Sequence, residues 1–152
     1  MGVHMKFRSY ILMTAVMVIV TGCGQPVQVS ADEAEAYAKA VDDVTENSLI
    51  GLSDNDFEKH TRDFDSSMLD VVDAASFPQA YADIIGIIGK YESKELSAVF
   101  DQSEFRIIVY KAKFENERDV TVRFVFRRDD PNRKISGMWF DSELLRAAGN
   151  TK

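Results

Sequence analysis

The sequence predicts an α+β domain: N-terminal helices packed on a four-stranded antiparallel meander sheet. Three observations carry that reading. Helix-start signals, each a Ser or Asp ahead of apolar residues spaced three and four apart, recur over residues 30–90. From Tyr91 the apolar period changes to two. The alternating runs that follow are separated by turn-forming stretches at 101–103, 115–118 and 129–132. Helices first and strands afterwards is the α+β order.

The chain opens on a leader, residues 1–22. Lys6 and Arg8 make its basic start, and Ile11 to Val20 is apolar except for Thr14. Translation starts at Met1 or at Met5; the later start leaves a tighter basic region. The apolar run is about half the roughly 20 residues that a spanning helix needs and has the proportions of a signal peptide core. Val20, Thr21, Gly22 and Cys23 follow it, and Cys23 is the only cysteine of the chain. That run resembles the bacterial lipobox: an aliphatic residue, a small one, Gly or Ala, then Cys. The resemblance implies cleavage before Cys23 and attachment of a diacylglyceryl group to its sulfur. Two or more acyl chains (palmitate and the like) give stable anchoring where one does not. The expected location is the extracytoplasmic face of a cell membrane, and the membrane is the first expected partner. Gly24 is not the Asp that would hold such a protein at an inner membrane. The seven residues 24–30 contain Pro26 and show no helical period. They read as a tether reaching at most roughly 25 Å.

With residues 1–22 removed, 130 residues remain, enough for one domain with its own core, expected over 31–147. The leader holds two of the 18 basic residues and none of the 25 acidic ones, so the remainder carries −9. That charge excludes nucleic acid as a partner. It is unevenly spread: residues 23–103 carry 5 basic and 17 acidic groups, residues 104–152 carry 11 and 8. With Cys23 lipidated, neither a disulfide nor thiol chemistry is expected.

The domain begins at a capping box, with Ser30 as N-cap and Glu33 three residues on. The helix is expected to run to about Leu49. It buries Ala34, Tyr37, Ala38, Val41, Val44 and Ser48, wets Asp32, Glu35, Lys39, Asp42, Asp43 and Glu46, and stops at Gly51. A short helix at about 54–62 points Phe57 inward, with Phe64 just beyond it. Another follows Asp65 and carries Met68, Leu69, Val71 and Val72. Ser76 caps a third, with Pro78 in its first turn and Phe77, Tyr81, Ile84, Ile85 and Ile88 as its buried stripe. Gly86 suits close packing inside it and Gly89 ends it.

In the first strand Leu96, Ala98 and Phe100 alternate with Glu95, Ser97 and Val99. The second, 106–114, places Ile108, Tyr110, Ala112 and Phe114 on one face. A hairpin loop at 115–118 leads to the clearest strand. There Val120, Val122, Phe124 and Phe126 face the core, and Thr121, Arg123, Val125 and Arg127 face out. The last strand is 134–140, and a short helix or tail begins at Asp141.

This order resembles the cystatin-like, cone-shaped folds of the nuclear-transport-factor-2 superfamily. More narrowly, it resembles an uncharacterised domain family of bacterial and archaeal surface lipoproteins, found also ahead of some secreted α/β-hydrolases. The stretches that carry the resemblance are FEKHTRDFD at 57–65, IGKY at 88–91, VTVRF at 120–124 and ISGMWF at 135–140. They fall within about Ala34 to Ser142. They are patterns of packing and turn, so the resemblance implies the fold and brings no activity with it.

Chemistry is sparse. His60, with Asp63 and Asp65 nearby, lacks the further histidines or thiolates of a metal site and reads as part of a solvated helix face. Asp54 and Asp56 lack the Gly and distal Glu of a calcium loop. Ser66 and Ser67 have no nucleophile-elbow context. The pairs Asp42/Asp43 and Asp129/Asp130 read as solvent and turn residues. No catalytic residue, metal or cofactor is expected. Two features point to binding. Tyr81, Phe100, Tyr110, Phe124, Phe126 and Trp139 are candidates to line a cavity between helices and sheet, the plain alternative being an ordinary aromatic core. Lys111, Lys113, Arg123 and Arg127 share the other sheet face as a basic stripe. That stripe suits an acidic envelope protein, or the acidic helical half of a second copy in a homodimer. The expected function is therefore a non-catalytic, membrane-anchored module binding a small ligand or a protein. The alternative is a small cavity enzyme, isomerase- or hydrolase-like, of the cone-shaped superfamily.

Overall fold

The computed structural model describes residues 24–149; the leader, Cys23 and the expected cleavage site lie outside the described residues. The elements in chain order are β1 (Val27–Gln28), α1 (Ala31–Ser53), α2 (Phe57–Thr61), α3 (Ser66–Leu69), α4 (Phe77–Ile88), β2 (Tyr91–Gln102), β3 (Phe105–Phe114), β4 (Val120–Arg127), β5 (Ile135–Asp141) and α5 (Glu143–Gly149). Four of the helices precede the long strands of a five-stranded antiparallel sheet of order β1-β2-β3-β4-β5.

The fifth strand corrects the expected four. Val27 pairs with Asp101 and Gln28 with Phe100, and the amide of Val29 donates to the Val99 carbonyl at 3.1 Å. Residues 27–28 are thus an edge strand and not tether. Two residues have no period to read, and Pro26 just before them argues for a loop.

Local capping chemistry sets most helix starts. The side chains of Ser30, Asp56 and Asp65 accept from the amides of Glu33, Lys59 and Met68. Ser76 departs from expectation: it stands at the N-cap of α4 but caps nothing with its side chain. Asp73 instead closes the turn that leads into α4, its side chain accepting from the amides of Ala75 and Ser76 at 2.8 and 2.9 Å and its carbonyl from the Phe77 amide at 3.1 Å. Gly89, at φ 85°, ends α4 as expected. A Cβ at Gly86 would meet nothing within 4 Å, so this glycine serves no close packing.

Gly51 does not end α1, which continues to Ser53. A Cβ at Gly51 would lie 2.6 Å from the Cα of His60 and 2.8 Å from the carbonyl carbon of Lys59. Glycine is needed there because α2 folds straight back onto α1, not because the helix stops. Ser53, beyond it, accepts from the Tyr91 amide at 3.0 Å and ties the helix end to the start of β2.

The helices cover one face of the sheet. Val41, Leu49, Leu52, Ile85 and Ile88 are buried against Val99, Ile108, Ala112, Phe114, Val120, Val122, Phe124, Phe126 and Ile135. Each large apolar side chain so buried contributes about 1.5–3 kcal/mol. The outer edge of β5 is covered where Phe64 bridges Ile135. The Ile135 amide donates to the Asp63 carbonyl at 2.8 Å, and its own carbonyl accepts from the Asp65 amide at 2.9 Å.

Three β-bulges interrupt the alternation: one leaves Glu92 unpaired, between Tyr91 opposite Phe114 and Ser93 opposite Lys113, and two more decide which side chains lie on which face of the rest of the sheet. The register passes from Leu96 opposite Tyr110 to Ala98 opposite Val109, leaving Ser97 unpaired. It passes likewise from Phe126 opposite Ile135 to Val125 opposite Gly137, leaving Ser136 unpaired. Each extra residue reverses the alternation beyond it. Val99 therefore faces the core, while Ala98 and Phe100 face away, contrary to the expected grouping of Phe100 with Leu96.

Candidate functional site

The six aromatic residues expected around one cavity are not brought together. Tyr110, Phe124 and Phe126 are buried in the packed core, and Tyr81 is half-buried on α4. Phe100 and Trp139 stand on the opposite, uncovered face of the sheet, Trp139 being 56% exposed. The bulges at Ser97 and Ser136 put them there.

That uncovered face is the first candidate site. Its half nearest the β2–β3 turn is apolar: Ala98, Phe100, Phe105, Ile107, Val109, Val125 and Trp139. Two adjoining hollows of about 440 and 490 Å³ lie on it and share Gln102, Ile107 and Arg123. The far edge of the Trp139 ring lies against Gly137: a Cβ there would come within 2.5 Å of it.

The four expected basic residues all project from this face, as the period of β3 and β4 implies, but they are not one free stripe. Lys113 is ion-paired with Glu92, and Lys111 donates to Thr121 at 3.0 Å. Arg127 pairs with Asp129 at 3.2 Å and lies 5.7 Å over the ring of Phe105. Arg123 has no ion pair or side-chain hydrogen bond among the described residues, and it lines both hollows. The alternation is visible in the sequence; the neutralising partners are not: Glu92 comes from β2, and Asp129, two residues after Arg127, reads as a turn residue.

A second candidate is an apolar pocket of about 390 Å³ where α2, α3 and α4 meet β5 and α5. His60, Phe64, Met68, Phe77, Ile84, Met138 and Leu145 are among its walls. The expected solvated position of His60 is corrected here: the ring is buried, with contacts to Phe64 at 4.9 Å and Phe77 at 5.3 Å. Its Nδ1–H donates to the Ser48 carbonyl at 2.8 Å, so Nε2 is left as an acceptor. Nε2 has no partner among the described residues and is not sealed from solvent, so it opens on the pocket. Burial lowers the imidazole pKa, the bond to Ser48 opposing that in part, which keeps the ring neutral. Among the described residues His60 is the only titratable side chain in the pocket wall. The sequence signal that finds this site is Gly51, whose lack of a side chain brings α2 against α1.

A third group of polar residues joins helix to sheet. Lys94, its side chain 5% exposed, reaches from β2 to Asp42 at 2.9 Å and to Glu46, which also accepts from the Tyr91 hydroxyl at 2.8 Å. Asp42 and Glu46, expected on a wet side, thus hold α1 to the sheet. The Tyr110 hydroxyl is buried beneath them, and burial pushes its pKa up to about 12. Among the described residues no three His, Cys, Asp or Glu side chains converge as a metal site would require. None of their helices is long and apolar enough to cross a membrane.

No curated protein and no solved structure matches the chain. A family described as "Protein of unknown function (DUF3887)" matches residues 46–138, from the last turns of α1 through the first half of β5. That span takes in His60, Arg123 and all three bulges and covers more than half of the sequence, so the chain belongs to the DUF3887 family.

Proposed function

We propose that this chain is a lipid-anchored protein of the cell envelope, held at the extracytoplasmic face through Cys23, whose domain binds a partner protein rather than catalysing a reaction. The partner docks on the uncovered sheet face. One observation carries this: apolar side chains, including the half-exposed Trp139, surround Arg123, a guanidinium without a carboxylate. An antiparallel sheet with one wet face ordinarily turns polar side chains to water, and a contiguous apolar patch with a polar rim marks an interaction site. The partner is expected to present apolar groups around an acidic one.

A photo-crosslinking residue placed at Val125 in cells tests it. A discrete adduct lost in Trp139→Ala and in Arg123→Glu supports the reading. An adduct of twice the chain mass, with sedimentation that depends on salt, would make the partner a second copy. A salt-independent monomer with no adduct ends the proposal. The anchor is tested apart: if Cys23→Ala leaves the protein equally membrane-bound, with no unprocessed form, the lipobox reading is wrong.

We also read the fold as cystatin-like, of the nuclear-transport-factor-2 superfamily. Its support is the order of helices then sheet, with the helices on one face. Superposing a crystal structure of this chain on members of that superfamily checks it, and a different strand order there removes it.

A second reading rests on His60. A neutral imidazole with its acceptor nitrogen open to an apolar pocket suits an aliphatic ligand bearing one hydroxyl or acid group. The cavity-enzyme alternative would need a second titratable group in that wall. Thermal shifts with medium-chain alcohols and acids test it. A rise in Tm in the native chain but not in Ile84→Trp, which fills the pocket, supports the reading; equal shifts in both remove it.

A further inference from the structure

We propose that the sheet end bearing the β2–β3 and β4–β5 turns faces the bilayer, and that its arginine-lined pocket takes the phosphate of a lipid headgroup. This rests on lipidation of Cys23, and the structure adds where that anchor emerges. Val27 is fixed in the sheet opposite Asp101. Gly24 lies against the β2–β3 turn, where a Cβ would be 3.4 Å from the Ser103 Oγ. Cys23 is bonded directly to Gly24, and consecutive Cα atoms are about 3.8 Å apart. The reach expected of a seven-residue tether is therefore almost wholly absent. The lipid chains leave the domain beside Ser103, and this end is held at the membrane surface.

The β4–β5 turn lies at the same end, since the Arg128 amide donates to the Glu104 carbonyl at 2.9 Å. A polar pocket of about 560 Å³ opens there, walled by Tyr37, Arg106, Arg127, Arg128 and Arg133 together with the 129–131 turn. Most of the acids nearby are already engaged; Glu104, whose charge also acts on Arg127, is the exception among the described residues. Asp101 and Glu33 hold Arg106, at 2.6 and 2.7 Å, and Asp129 holds Arg127. Asp130 accepts from the amides of Asn132 and Lys134, at 2.9 and 2.8 Å. Arg128 makes only long contacts, 3.3 Å to the Ser103 carbonyl and 3.7 Å to Asp101. Arg133 is exposed, at φ 50°, and its guanidinium has no ion pair or hydrogen bond among the described residues. Among the described residues the Arg133 guanidinium is thus left open and that of Arg128 is only loosely held, beside the point where the anchor emerges. The guanidinium fork matches phosphate oxygens two at a time. A bilayer held within a few ångströms supplies phosphate at high effective concentration.

The lipidated full chain, reconstituted in vesicles, tests this. Its only native cysteine is taken by lipid, so an introduced one is a unique label site. A fluorophore on Asn132→Cys is expected to be quenched by headgroup-labelled lipid in phosphatidylglycerol vesicles, and one on Arg118→Cys, at the far end, is not. Arg128→Glu with Arg133→Glu is expected to lower quenching at 132 to the level at 118, while the protein stays in the vesicles. Equal quenching at both labels, or no effect of the charge reversal, overturns the inference with the anchor intact. Loss of quenching on adding millimolar inorganic phosphate would overturn the lipid assignment in favour of a free anion. A chain that lacks the lipid mass and stays out of the vesicles overturns the anchor itself.

Discussion

The Nδ1–H of His60 donates to the backbone carbonyl of Ser48 at 2.8 Å, across the closest approach of α1 and α2. The contact joins residues twelve apart, and it depends on Gly51, three residues after Ser48, leaving room for the His60 backbone.

His60 makes stability depend on pH. Burial lowers its pKa in the fold below the 6.5 of a free imidazole. On acidification the unfolded chain binds a proton first, so stability is complete above about pH 6.5 and falls as pH drops through it. The loss continues until the folded imidazole also protonates, with a slope of up to about 1.4 kcal/mol per pH unit. Urea titrations at about pH 7.5, 6.5 and 5.5, which bracket the free imidazole value, measure it. His60→Gln, which keeps a donor for Ser48, is expected to flatten that slope; an unchanged slope would assign it to other groups.

Gly51 and Gly86 respond oppositely to alanine. Gly51→Ala forces a methyl group into the α2 backbone and is expected to cost about 1–3 kcal/mol or more. Gly86→Ala meets open space in a helix interior and is expected to stabilise by about 0.5–1 kcal/mol. Denaturant midpoints of the two variants give both signs at once.

Lys94 joins β2 to α1 through Asp42 and Glu46. Lys94→Ala leaves two carboxylates without their cation and empties a buried aliphatic stem. The expected cost is about 1.5–3 kcal/mol, the range for hydrogen bonds to charged groups. A double-mutant cycle with Glu46→Gln is expected to show a coupling above about 0.5 kcal/mol. Additive effects would mean the pair does not hold the helix.

The start of α4 depends on Asp73, not on Ser76. Hydrogen bonds from the amides and hydroxyl beyond it hold the Asp73 carboxyl below its ordinary pKa. The stability it contributes is therefore present above the ordinary carboxylate pKa and lost as pH falls through the lowered one. Asp73→Ala is expected to lower Tm more than Ser76→Ala, and the gap narrows as pH falls through the carboxylate range. Equal losses in the two variants would mean that Ser76 matters as much to that start.

The α+β order, the side-chain caps at Ser30 and Asp65, and the core faces of β3 and β4 are legible from the residues. All of these depend on neighbours within about four positions or on strict alternation. The cap of α2 is Asp56, later than the expected start at 54 implies. The candidate sites are less legible. Arg123 and Trp139 are both visible as residues, but that they share one face follows from the bulge at Ser136. Phe100 joins them through the bulge at Ser97. A single unpaired residue reverses every side chain beyond it, and nothing in a period-two count marks where it falls.

The sequence by itself determined the types of the four helices and four long strands between residues 31 and 141, the buried faces of the regular strands and the lone cysteine behind an apolar leader. Each rests on local patterns of apolarity and capping. Tertiary structure alone decided that residues 27–28 join the sheet, that Gly51 seats His60 against α1, and that Gly24 lies beside Ser103. These are contacts between segments distant in the chain. Their geometry is set by how the helices and the bulged sheet pack, which no local spacing encodes.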